Sequence, residues 1–141
     1  MTIMNHRIKN AMKSIVMILL VTSAIVSCKK NKDAELPSIS LKAGGNYTSG
    51  DATVSTSDLL IVGISADKNQ DDLKTFKIYS SIGSGAFSLK KTFYLAPDEK
   101  GHYEKDYEFT PENDHTYETW KFEINDAAGN SNSVSIKLTI N

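Results

Sequence analysis

From Pro37 to the C-terminus, apolar and polar residues alternate with a period of two, and clusters of Gly, Asp, Asn, Ser and Pro interrupt the alternation at short intervals. A period of two sends successive side chains to opposite faces of a strand, so this part of the chain predicts an all-β domain. The last segment is the clearest. Val134, Ile136, Leu138 and Ile140 alternate with Ser133, Ser135, Lys137 and Thr139, which puts one face on a core and the other in water. Just upstream, Trp120, Phe122 and Ile124 alternate with Thr119, Lys121 and Glu123, and Asp126-Ala-Ala-Gly129-Asn130 supplies a turn that makes the two strands a hairpin. Five earlier strands are expected at 39–42, 59–65, 73–81, 87–95 and 102–110, each bounded by turn-forming residues, for about seven antiparallel strands in all. The nearly continuous apolar run from Leu59 to Ile64 belongs in the middle of a sheet. In 102–110 the inward series is Tyr103, Tyr107 and Phe109, broken by Lys105; in 87–95 it is Phe87, Leu89, Phe93 and Leu95, broken by Lys91. A lysine in an inward series fits an edge strand, where its stem can carry the ammonium out to water.

Before Pro37 the pattern is different. Residues 14–26 form an apolar run preceded by Arg7, Lys9 and Lys13, with no acidic residue among the first 32 positions, and Cys28, the only cysteine, stands just behind it. The run is shorter than the roughly 18 to 20 residues that cross a bilayer, and basic-then-apolar is the layout of a secretory signal peptide. Ser27, a small residue before Cys28, is what a signal peptidase needs beside the scissile bond. The stretch Ile25-Val26-Ser27-Cys28 followed by Lys29-Lys-Asn-Lys-Asp33 resembles the lipobox and tether of Bacteroidetes-type bacterial lipoproteins. Ile25 and Val26 depart from the usual Leu and Ala or Ser of that box. The resemblance implies cleavage before Cys28, acylation of its thiol, and a membrane held through that lipid. It also implies the outer membrane, since Lys29 replaces the aspartate that favours inner-membrane retention in enterobacteria; Asp33 and Glu35 near the cysteine point to the cell surface rather than the periplasmic face. Lipidation also disposes of a thiol that has no second cysteine to pair with in an oxidising compartment. The expected organisation is a signal peptide over 1–27, a flexible tether over 28–36, whose polar, charged composition buries too little apolar surface to order, and one domain over 37–141. About 105 residues suffice for one core and not for two.

Seven short strands with a single Trp in a late one resemble an immunoglobulin-like or fibronectin-III-like β-sandwich, and the segment from Trp120 to Asn130 with the strand after it is similar to the last hairpin of bacterial immunoglobulin-like domains. A small β-barrel is the alternative. In the family a tyrosine near the start of the sixth strand makes a corner contact; Tyr117 is the residue in that place, but its parity is opposite to that of Trp120 and a bulge would be needed.

Charge and chemistry narrow the function. The signal segment holds three of the 16 basic residues and none of the 17 acidic ones, so the mature chain has net charge −4, which excludes a nucleic-acid binder. Outside the signal segment the histidines are His102 and His115, in separate segments with no triad spacing, and Gly83-Ser-Gly85 separates two strands instead of opening a phosphate-binding helix. No enzyme and no cofactor are expected. Asp67, Asn69, Asp71 and Asp72 place side-chain oxygens as at the start of a calcium loop; Asp72 replaces the required Gly and Ile78 the closing Glu, so a calcium site is the alternative to a solvated loop. Tyr79 and Tyr94, outward on two strands expected to be hairpin neighbours, and Tyr47 in a loop are the candidate ligand-binding residues, since amphipathic rings stack on sugar faces; the plainer account of tyrosines on sheet faces is β-propensity and cross-strand pairing. The sequence thus points to a lipid-anchored, non-catalytic binding or scaffolding module whose partner is a glycan or another surface protein, met at the loops near 67–72, 97–101 and 126–130 or along a sheet edge.

Overall fold

The computed structural model describes residues 35–112 and 116–141, all of them within one compact unit, Ala34–Asn141. Cys28, the expected signal segment, most of the expected tether and His115 lie outside the described residues. Among the described residues are eight strands: β1 (Ser38–Leu41), β2 (Ala52–Val54), β3 (Leu60–Asp67), β4 (Leu73–Ile82), β5 (Ser88–Tyr94), β6 (His102–Phe109), β7 (Tyr117–Asp126) and β8 (Ser131–Ile140). They form two sheets, β1-β3-β6 and β2-β8-β7-β4-β5. Both sheets keep open edges, so the architecture is a sandwich and not a barrel. The chain changes sheet between β1 and β2, β2 and β3, β3 and β4, β5 and β6, and β6 and β7, so both layers are built from strands far apart in sequence.

Seven of the strands are those the alternation predicts. The eighth, β2, escapes the pattern because it is three residues long and only Val54 of it is buried. It pairs parallel with β8, Ala52 to Leu138 and Val54 to Ile140, so the sandwich is not wholly antiparallel. β3 is central as its apolar run requires, with β1 on one side and β6 on the other. β5 and β6 are both edge strands, and Lys91 and Lys105 are both exposed.

The core lies between the sheets. β7 alternates buried and half-buried residues without a break, giving Trp120, Phe122 and Ile124 to the interior beside Ile136 and Leu138 of β8 and Val62 and Ile64 of β3. Phe76 of β4 lies across the interface from β6, its ring centroid 5.2 Å from that of Tyr103 and 5.3 Å from that of Tyr107. Trp120 meets Phe109 of the opposite sheet at 4.3 Å. The Tyr103 and Tyr107 hydroxyls hydrogen-bond each other, and burial pushes both phenols above their ordinary pKa. Tyr117 faces outward, where Lys137 Nζ lies 4.0 Å from its ring centroid, because β7 keeps its parity from Tyr117 to Trp120 with no bulge. The inward residue next to it is Glu118, 1% exposed. Its carboxylate accepts from Trp120 Nε1 at 2.8 Å and from the Glu112 backbone N–H at 3.1 Å, which satisfies the buried oxygens and ties the β6–β7 connection to the sheet.

One irregularity reshapes the surface. Ile78 pairs with Lys91 but Tyr79 with Leu89, so Lys90 is the extra residue of a β-bulge in β5. An extra residue reverses the parity of everything beyond it. Phe93 and Leu95 keep the inward sense expected of them, whereas Leu89 and Phe87 turn outward and stand exposed, contrary to the simple alternation.

Candidate functional site

Three regions gather polar or exposed apolar side chains. At one end of the sandwich the loops near 67–72, 97–101 and 126–130 come together as the sequence anticipated. Lys68 N–H donates to Gly101 C=O at 3.0 Å, Leu73 N–H to Lys100 C=O at 2.8 Å, and Ala127 N–H to Asp72 C=O at 2.8 Å. The last of these loops is closed by Asp126, whose buried carboxylate accepts from the Asn130 backbone N–H and from Asn130 Nδ2, each at 2.8 Å, around Gly129 at φ +94°. The domain also begins at this end: Ser38 pairs with Asp67, and Asn132 Nδ2 donates to Pro37 C=O at 3.0 Å. The four residues of the calcium alternative are not assembled into a cage. Asp67 Oδ1 lies 2.7 Å from His102 Nδ1, and Asp72 Oδ1 accepts from Lys68 Nζ at 2.9 Å. No group of three or more His, Cys, Asp or Glu side chains able to hold a metal ion occurs among the described residues.

The outer face of the three-stranded sheet carries a charged network. Lys42, just past β1, reaches across Gly63 to Glu104 Oε1 at 2.6 Å and Asp106 Oδ1 at 2.8 Å. Asp106 accepts a further hydrogen bond from the Tyr47 hydroxyl at 2.9 Å, and Lys42 Nζ lies 5.5 Å from the Tyr47 ring centroid. Hydrogen bonds to Asp106 and Glu104 hold the Lys42 ammonium above the ordinary lysine range, and Lys42 holds both carboxyls below theirs. His102 continues the row. Asp67 first and Glu104 second raise it above its ordinary 6.5. Both of its ring nitrogens face carboxylates, so it has no nucleophile to activate.

The third region is the outer side of the β4–β5 hairpin. Tyr79 and Tyr94 do share it: Tyr79 is opposite Leu89, and Tyr94 opposite Thr75, four residues further along β4. Their environments differ. Tyr94 is 81% exposed, whereas the Tyr79 ring lies under Lys121 Nζ at 4.2 Å and its hydroxyl donates to Glu123 Oε1 at 3.1 Å. Burial pulls the Glu123 carboxyl up, but hydrogen bonds from Asn125, Lys121 and Tyr79 outweigh it and hold the group below its usual range. Tyr47 lies with Asp106 on the other sheet, so the three tyrosines do not form one platform. Sequence reasoning missed the apolar members of this region: Ile82, Phe87 and Leu89, 42%, 45% and 54% exposed. Their signal is the absence of any charge between Lys77 and Lys90 in a segment with a glycine turn at its centre. Lys121 Nζ also stands 5.3 Å from the Phe87 ring centroid, which places Phe87 on the same face as Tyr79.

No protein-family model matches this chain, and no curated protein matches it either.

Proposed function

We propose that this chain is a bacterial lipoprotein, acylated at Cys28, that holds a non-catalytic β-sandwich at the outer membrane as a binding or scaffolding module. The observation that carries the reading is Cys28 itself, the one cysteine, set directly behind a basic-then-apolar segment and a small residue. The sequence between Cys28 and Leu36 supports it, being polar and charged from Lys29 to Asp33 with Glu35 beyond, the composition a tether needs. Two or three acyl chains on one residue hold stably where a single chain holds marginally. Surface display, favoured by Asp33 and Glu35, is part of the same reading. The experiment is the intact mass of the protein from native membranes, beside a Cys28→Ala variant, with protease accessibility in whole cells. An acylated mass beginning at Cys28 supports the reading; an unacylated mass beginning elsewhere overturns it.

A second reading, a glycan-binding accessory protein, is favoured by one observation. Tyr94 is almost wholly exposed on the same face as Thr92 and Lys77, which offer hydrogen bonds beside an open ring. Binding to a glycan array that disappears in Tyr94→Ala but survives in Tyr47→Ala would support it, and an array with no signal would remove it.

A further inference from the structure

We propose that the β4–β5 hairpin is a membrane contact in its own right, an apolar tip with a basic collar that docks on an anionic phospholipid surface. Lipidation at Cys28 enters only as the reason the domain is kept near a bilayer; the surface itself is read from the sandwich. From Ile78 to Leu89 the hairpin carries no charge. Its turn is made by small residues, with Gly83 at φ +54° and the Gly85 N–H donating to Ile82 C=O at 2.9 Å. Three large apolar side chains stand exposed around it, Ile82, Phe87 and Leu89. They do not share a face. Ile82 pairs with Glu118 on the inward side, beyond the end of the core, whereas Leu89 pairs with Tyr79 and turns outward with Phe87 because of the Lys90 bulge. A platform for a sugar or a groove for a peptide needs apolar groups on one side; a tip apolar on both sides is suited to immersion in the headgroup and acyl boundary.

The collar has the matching charge. Lys77, Lys90, Lys91, Lys121 and Lys137 lie on β5 and on the outer face of its sheet, against Glu112 and Glu123. Lys91 Nζ sits 4.7 Å from the Phe93 ring centroid and Lys121 spans the Tyr79 and Phe87 rings, so the lysine stems cover apolar surface and leave the ammonium groups at its margin. This basic side belongs to a domain with an acidic excess, whose opposite sheet presents Asp67, Glu104, Asp106 and Glu108. Tyr94 marks the other end of β5 with an exposed amphipathic ring of the kind that settles at a membrane interface.

The test uses residues 34–141, whose strands and core are complete among themselves, in co-sedimentation with vesicles of phosphatidylcholine containing phosphatidylglycerol and with vesicles of phosphatidylcholine alone. Binding is expected on the anionic vesicles, weakening as salt is raised. Lys90→Gln with Lys91→Gln should weaken it by about 25-fold, about fivefold for each lysine, and Phe87→Ser with Leu89→Ser by about tenfold or more, each variant keeping the wild-type unfolding midpoint. As a second measurement, the added indole of Leu89→Trp should shift its emission to the blue on anionic vesicles. Absence of binding, equal binding to neutral vesicles, or binding indifferent to both pairs of substitutions overturns the proposal; so does capture of polyglutamate with no binding to vesicles, which would make the surface a protein-docking site. The anchor fails separately, by the mass of the native protein, and vesicle binding by a domain whose native form lacks acylation would leave the hairpin contact standing.

Discussion

Gly63 is where one methyl group should report on a long-range contact. A Cβ added there would stand 2.6 Å from Lys42 Cδ and 2.9 Å from Lys42 Cβ and Cγ, about 1 Å inside the 3.5–4.0 Å at which carbon atoms pack. The absent side chain is what lets the Lys42 stem lie flat across β3 and bring its ammonium to Glu104 and Asp106. Two effects compete in Gly63→Ala. Replacing a glycine inside a strand gains roughly 0.5–1 kcal/mol from the unfolded chain's lost freedom. Forcing a methyl into occupied space costs roughly 1–3 kcal/mol. Overlap with Lys42 Cβ cannot be relieved by a rotamer, since the Lys42 backbone is itself tied to Gly63 by an N–H···O=C bond of 2.9 Å, so the cost should win and the variant lose about 0.5–2 kcal/mol. The sign should change when the stem is cut. In a Lys42→Gly background all three of those atoms are gone, and Gly63→Ala should be neutral or stabilising, giving a coupling of about 1–2 kcal/mol between the two positions. Urea unfolding followed by the fluorescence of Trp120, with midpoints compared at constant slope, measures all four proteins. The same cost in both backgrounds would refute the argument, because strain against anything other than Lys42 would not depend on residue 42.

The remaining predictions concern polar groups that the sandwich holds in place. His102 should titrate by NMR above 6.5, and Asp67→Asn should bring it back toward that value. Because its folded pKa is raised, its contribution to stability is complete below about pH 6.5 and is lost as the pH rises through the folded value, so wild type should lose a small increment across that window that His102→Gln does not lose. Glu104 and Asp106, held low by Lys42, act in the opposite sense: their contribution is present above the ordinary carboxyl range and disappears as the pH falls through their lowered values. Asp126→Ala strips the buried acceptor from two Asn130 donors and should destabilise by about 1–3 kcal/mol in thermal unfolding, with Asp126→Asn keeping part of the loss back. Glu118→Leu, which leaves the Trp120 indole N–H and the Glu112 N–H without their acceptor, should cost about 1–3 kcal/mol, while Glu118→Gln, which keeps an acceptor, should cost clearly less; equal losses would mean that the negative charge and not the hydrogen bonding matters there.

Strand positions were legible because alternation is a local property of the chain and a sandwich buries one face of each strand. Val134 to Ile140 and Trp120 to Ile124 carry that signal undiluted, and the two lysines that break it, Lys91 and Lys105, correctly mark β5 and β6 as edges. What alternation cannot report is pairing. β2 exists because three residues find the free edge of β8, a partner more than eighty residues away, and three residues contain no periodicity to read. Tyr117 failed as a corner residue for a related reason. Its parity was readable, but whether a bulge would reverse that parity is decided by the neighbouring strand, and here none does.

The bulge that does occur, at Lys90, decides the surface. On sequence alone Phe87 and Leu89 belong to the core series of Phe93 and Leu95, and the outward residues of the hairpin are its tyrosines. One extra residue in β5 turns Phe87 and Leu89 out beside those tyrosines, leaving two apolar side chains in water, while Tyr79 is covered by Lys121 and bonded to Glu123. Exposed apolar groups cost solubility, and without the bulge Phe87 and Leu89 would continue the inward series of Phe93 and Leu95 instead of standing in water. Ile82, Phe87 and Leu89 are thus exposed, and among the described residues none of them belongs to the buried core. Residues that destabilise a surface without serving a core are the ones for which contact with something outside the chain is the economical explanation, and it is this mismatch, more than any single contact, that makes the β4–β5 hairpin the place to test first.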